Sequence, residues 1–157
     1  MLIRNDKQRE QSLQTLQGMQ TALKKAKKKF QSEGYSTKEV KELLDPQRCL
    51  YDDIQQEIEI YDRWKAGDLT DFEAAPLEDL GRFLIAARIA RGISQRELAQ
   101  KLEVNESTIS RDERNDYHGI SIPRAVKILA ALEVGVVMDV WPQKVLPPPA
   151  PEGGAVP

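Results

Sequence analysis

The segment Ser94 to Asn115, SQRELAQKLEVNESTISRDERN, constrains this chain more than any other, because its local signals leave few conformations open. Ser94 followed by Glu97 is a capping box: the serine hydroxyl accepts from an early helical amide, and the glutamate reaches back to the serine amide. Ile93 and Leu98 supply the matching apolar staple. Leu98 and Leu102 then share one face, and Ala99 keeps the helix slim where a neighbour must cross closely. After a short turn, Asn105 is a good cap for a second helix, and Val104 with Ile109 repeats the staple. Two short helices set at a steep angle around a small apolar knot are therefore predicted.

Helices predicted over 77–91, 94–102, 106–115 and 122–132 make a compact all-α unit with short connections. Upstream, Leu13, Leu16, Met19, Leu23, Ala26 and Phe30 recur every three or four positions, which predicts one long amphipathic helix from Arg4 to Phe30. Gly34 stops it, and Ser36 with Glu39 forms a second capping box, stapled by Tyr35 and Val40, for a shorter helix. Asp45 and Pro46 read as the start of a third helix, ended by Gly67, with Leu50, Ile54, Ile58, Tyr61 and Trp64 as its stripe. Residues 1–66 are thus expected to form an antiparallel helical hairpin, too thin to bury its own stripe. A partner copy, another protein or the second half of the chain must cover it.

Residues 67–76, acidic and containing Pro76, read as a linker, and 77–141 as the compact domain, within which Val134 to Trp141 is apolar enough for a strand. Six of the nine prolines fall in residues 142–157, so a flexible Pro-rich tail is expected there. A length of 157 residues suits one small domain with an appendage and excludes a large multidomain enzyme. The net charge of −2 gives bulk electrostatics no part in nucleic-acid binding, so local clustering must supply it.

The single Cys49 cannot form an intrachain disulfide and is expected to be a small buried side chain. One His and one Cys are too few for a structural zinc site, so no metal and no cofactor are expected. His118 falls in a loop far from Cys49, and no glycine loop cradles a phosphate, which argues against an enzyme. The Lys24–Lys29 run fills polar positions between Leu23 and Phe30 and reads as a solvated helix face. No apolar export segment or membrane span is present in the sequence, and a soluble cytoplasmic protein is expected.

Over roughly residues 77–135 the pattern Leu98, Ala99, Leu102, Val104, Ile109 resembles the phage-repressor (Cro and Xre) family of helix-turn-helix DNA-binding proteins. Two positions depart from it: Glu103 stands where the family usually has a turn glycine, and Asp112 where an apolar residue is usual. The resemblance implies that the second helix of the motif enters the major groove, with Glu106, Ser107, Thr108 and Arg111 meeting base edges. Arg111 can fork onto guanine, Glu106 can accept from cytosine, and Ser107 or Thr108 can adapt to either base or phosphate. Ser110 shares that outward surface, Gln95 matches a phosphate-holding position, and Arg124 is placed for a further phosphate contact. The resemblance also makes Arg88 and Glu113 a shielded ion pair that sets the helix angle.

The expected function is sequence-specific binding of double-stranded DNA by a transcriptional regulator. It is read as a repressor working as a homodimer on a palindromic operator, with the hairpin as dimeriser. The alternative is an antitoxin that neutralises a toxin through its helical segment and represses its own operon. A third reading is a helical adaptor that no longer binds DNA.

Overall fold

The computed structural model describes residues 2–137, and among them the chain is all-α, as predicted. The helices are α1 (Asp6–Ser32), α2 (Thr37–Lys65), α3 (Leu80–Ala90), α4 (Gln95–Lys101), α5 (Glu106–Arg114) and α6 (Ile122–Leu132). The expected tail at 142–157 and the end of the apolar stretch at 138–141 lie outside the described residues, and residues 134–137 have no regular structure.

The first two helices form the antiparallel hairpin. Asn5 caps α1 by accepting from the Gln8 amide, and Ser36 with Glu39 forms the complete capping box of α2. Pro46 does not start a third helix, because α2 runs through it without interruption to Lys65. The reason lies in the seam. Val40, Leu44, Ile58 and Tyr61 are all buried, and they keep one helical phase across the proline. A break there would lose that burial, which outweighs the roughly 3 kcal/mol an interior proline costs. Cys49, expected to be buried, points away from the seam and is exposed.

At its base the hairpin is locked by polar contacts. The Arg9 guanidinium donates to both Asp62 oxygens at 2.6 and 2.7 Å. Asp6 accepts from Lys65 and from the Tyr61 hydroxyl, and the Lys65 bond holds its carboxyl below the usual carboxylate range. Burial beside this carboxylate pushes the Tyr61 hydroxyl up to about 12.

The hairpin does not stand apart from the C-terminal helices. Ile3, Leu16, Ile58, Tyr61 and Trp64 belong to the same buried cluster as Leu84, Ile85, Leu98, Ile109 and Ile128. Of the three possible covers for the hairpin stripe, the second half of the chain takes its inner end. The connection at 67–76 is packed rather than loose: a 3₁₀ turn at Thr70–Phe72 places Phe72 between Trp64 and Phe83, with ring centroids 5.8 and 5.4 Å away. Asp71 accepts two bonds from the Arg63 guanidinium, at 2.9 and 2.8 Å. The helix predicted at 77–91 begins as a second 3₁₀ turn, Leu77–Asp79, before α3.

Candidate nucleic-acid interface

The motif is built as its caps direct. At the start of α4 the Ser94 hydroxyl accepts from the Glu97 amide at 3.1 Å, while Glu97 accepts from the Ser94 amide at 2.7 Å. Leu98, Ala99 and Ile109 are all at most 2% exposed, and Ile93, Leu102 and Val104 pack against them. Glu103 takes the left-handed conformation that its glycine-like position requires, with φ of 55°. Asn105 occupies the cap position of α5 and Ser121 that of α6, but neither side chain makes the capping bond its residue type suggests. At α5 the backbone closes the turn instead, the Thr108 amide donating to the Asn105 carbonyl at 2.9 Å.

The far end of α5 is held by a buried polar cluster. Arg88 of α3 donates through Nε and Nη2 to the two carboxylate oxygens of Glu113, at 2.5 and 2.7 Å. The pair is shielded, the arginine side chain 3% and the glutamate 0% exposed. Each partner would be an uncompensated buried charge without the other, so removing one costs about 3–5 kcal/mol. Arg88 also donates to the carbonyls of Ile93 at 2.8 Å and Arg4 at 2.9 Å, which uses the remaining edge of its guanidinium.

Arg4 is a member of this cluster that the sequence did not reveal. Its Nη2 donates to Asp116 Oδ1 at 2.9 Å, just beyond the end of α5. The loop it grips is strained, because Asp116 and Tyr117 both have positive φ, 48° and 52°. Such backbone costs of order 1–3 kcal/mol per residue and persists only where neighbours over-determine it. Burial of the Tyr117 ring and two neighbours do so here. Tyr117 is buried and its hydroxyl pushed well above its ordinary value by that burial. Arg4 pins Asp116. Gly81 of α3 admits the Asp116 carbonyl so closely that a Cβ there would lie 1.9 Å from the oxygen. No local signal could have exposed this arrangement, since Arg4 and Asp116 are 112 positions apart.

The outward face of α5 carries the predicted readers. Glu106, Ser107 and Arg111 are exposed, with Thr108 and Ser110 half-buried beside them. The Arg111 side chain takes no hydrogen-bond or ion-pair partner among the described residues, so its guanidinium fork is open. The two residues assigned to phosphate already hold other partners. Gln95 Nε2 donates to Glu113 Oε2 at 2.7 Å, and Arg124 Nη2 to Asp112 Oδ2 at 2.5 Å. The second bond explains the departure at Asp112, which is half-buried because a cation rather than an apolar neighbour meets it. Each donor group still has unused N–H groups.

A short, exposed polar helix, entered through a turn at one end and clamped at the other by a buried ion pair, completes a helix-turn-helix. A family model described as helix-turn-helix matches residues 84–137, about a third of the chain, and that segment is of the phage-repressor (Cro and Xre) kind. The matched family is one of DNA-binding regulators rather than enzymes. No curated protein and no solved structure matches the chain significantly. Among the described residues no helix is long and apolar enough to cross a membrane.

Proposed function

We propose that the chain is a transcriptional repressor that binds a two-fold operator as a dimer, reading bases in the major groove with α5. The observation that carries this reading is the open guanidinium of Arg111 on a helix whose far end is fixed by Arg88, Glu113 and Arg4. A rigid mount matters because a bidentate contact to guanine O6 and N7 tolerates little movement. Arg111 reads a guanine, Glu106 a cytosine N4, and Ser107, Thr108 and Ser110 line the same face. Gln95 and Arg124 meet phosphate with their remaining N–H groups, setting the register of the helix without reading sequence. One such helix covers only a few base pairs, which is why a second copy is needed for useful specificity.

Selection of bound duplexes from random sequence tests the whole reading and is expected to return a two-fold motif. On that motif Arg111→Ala should weaken binding by about 1–3 kcal/mol and relax preference at one base pair per half-site. Gln95→Ala should weaken binding to every sequence evenly. Titration against single-base variants separates the two, and an Arg111→Ala protein with unchanged base preference overturns the assignment.

A further inference from the structure

Every carboxylate at the far end of α5 is matched by an arginine brought from another part of the chain. Asp112 accepts from Arg124 of α6, Glu113 from Arg88 of α3, and Asp116, just past the helix, from Arg4 ahead of α1. Arg114 lies among these three acids, is exposed, and its side chain has no hydrogen-bond or ion-pair partner among the described residues. It shares a face with Ser107 and Arg111, since spacings of four and three residues bring side chains to one side of a helix. By sequence, residues 111–116 carry two arginines against three acids, a net of −1; the three arginines borrowed from elsewhere turn it into +2. The local positive charge that a chain of net −2 needs for nucleic acid is thus assembled here by folding.

The same place meets the edge of the groove. α5 has nine residues, and at 1.5 Å per residue it runs about 12 Å, the width of the major groove. With its N-terminal residues at base edges, its last turn comes to the sugar–phosphate border. Gln95, assigned above to phosphate, lies against that turn through its bond to Glu113 at 2.7 Å. A carboxylate left uncompensated at this border repels phosphate, and Asp116 is the one best placed to do so. Its side chain is 52% exposed, against 28% for Asp112 and none for Glu113. The cation that answers it is Arg4, at 2.9 Å.

We propose that the C-terminal edge of α5 holds a DNA phosphate, with Arg114 donating to it and Arg4 cancelling the Asp116 charge that would oppose it. The inference rests on the DNA-binding reading above and adds one contact residue and one that acts through another. Its test titrates the full chain with a mixed-sequence duplex of about 30 base pairs, and with the selected operator, between about 50 and 200 mM salt. Arg114→Gln should lower the slope of log K against log salt by about one and weaken binding to both duplexes by the same factor. Arg114→Lys keeps the charge and should restore the slope. Arg4→Met should weaken binding about threefold or more at the lowest salt and less at the highest, because a screened carboxylate repels less. Asp116→Asn, which suits the φ of 48°, should bind at least as tightly as the wild type. Arg4→Met combined with Asp116→Asn should regain wild-type affinity.

The double variant separates charge from grip, since it lacks the bond between Arg4 and Asp116 as well as the exposed carboxylate. A double variant that stays weak overturns the role given to Arg4. So does Asp116→Asn binding more weakly than the wild type, a result that does not depend on Arg4→Met folding. An Arg114→Gln chain with an unchanged slope overturns the phosphate contact, and one that loses preference at a single base pair makes Arg114 a base reader instead. A wild-type chain with no salt-dependent affinity for any duplex overturns the DNA-binding reading itself, which every other failure leaves standing.

Discussion

At the scale of single residues, backbone strain sits beside the motif in places where a side chain gains nothing from it. Glu103, at φ of 55°, holds the turn between α4 and α5, with its amide donating to Gln100 and the next amide to Ala99, at 3.1 and 3.0 Å. A left-handed conformation crowds the Cβ of an L-residue against the neighbouring carbonyl, whereas glycine has no Cβ to crowd. Glu103→Gly should therefore stabilise the protein by about 0.5–1 kcal/mol, the relief being partly offset by greater freedom in the unfolded chain. Urea denaturation measures it directly, and a loss of stability would mean that the glutamate side chain contributes something the backbone argument omits. This departure could be read from the sequence because a turn is a local object. Arg124 with Asp112 could not, because that bond joins two helices whose angle no local signal fixes.

Among the elements, the helix starts were the most legible features. Ser36 with Glu39 and Ser94 with Glu97 form both halves of their capping boxes, as their spacing predicts. Such a box needs only four consecutive residues. Asn105 shows the boundary of the inference: its place as cap was readable, but its side-chain bond depended on a rotamer that the surroundings decide. Pro46 marks the opposite error, a strong local stop signal overruled by the buried seam on either side of it.

The boxes also have a pH signature. The Ser94 amide, and then its hydroxyl, holds the Glu97 carboxyl below its ordinary value of 4.5, and the Ser36 hydroxyl, and then its amide, lowers that of Glu39. A carboxyl whose folded value is depressed stabilises the fold fully above its unfolded value and loses that contribution as pH falls through the folded one. Stability should thus decline as pH drops below about 4.5. Glu97→Gln keeps an acceptor that does not titrate, so its urea midpoint should fall less steeply over that acid range than the wild type's. Equal slopes for the two proteins would remove Glu97 from the acid response.

For the molecule as a whole, the hairpin and the helix-turn-helix share one core, with Trp64 fully buried between them. The sequence left open which of three covers meets the hairpin stripe, since a core is defined by what meets in space and neither side's pattern names its partner. The clamp on α5 has the same character. Its bond from Arg88 to the Arg4 carbonyl spans 84 positions and its bond from Arg4 to Asp116 spans 112. Contacts so far apart along the chain close late in folding, because the entropy of the intervening loop must be overcome before they return anything. Arg4→Met should leave the refolding rate nearly unchanged and speed unfolding several-fold, a φ-value close to zero, as stopped-flow chevrons would show. A slowed refolding arm would instead place Arg4 in the nucleus. A φ-value close to zero would make the opening residues of the chain the last to find their seat. Until they do, every helix can be formed while the loop that follows α5 is still unclamped.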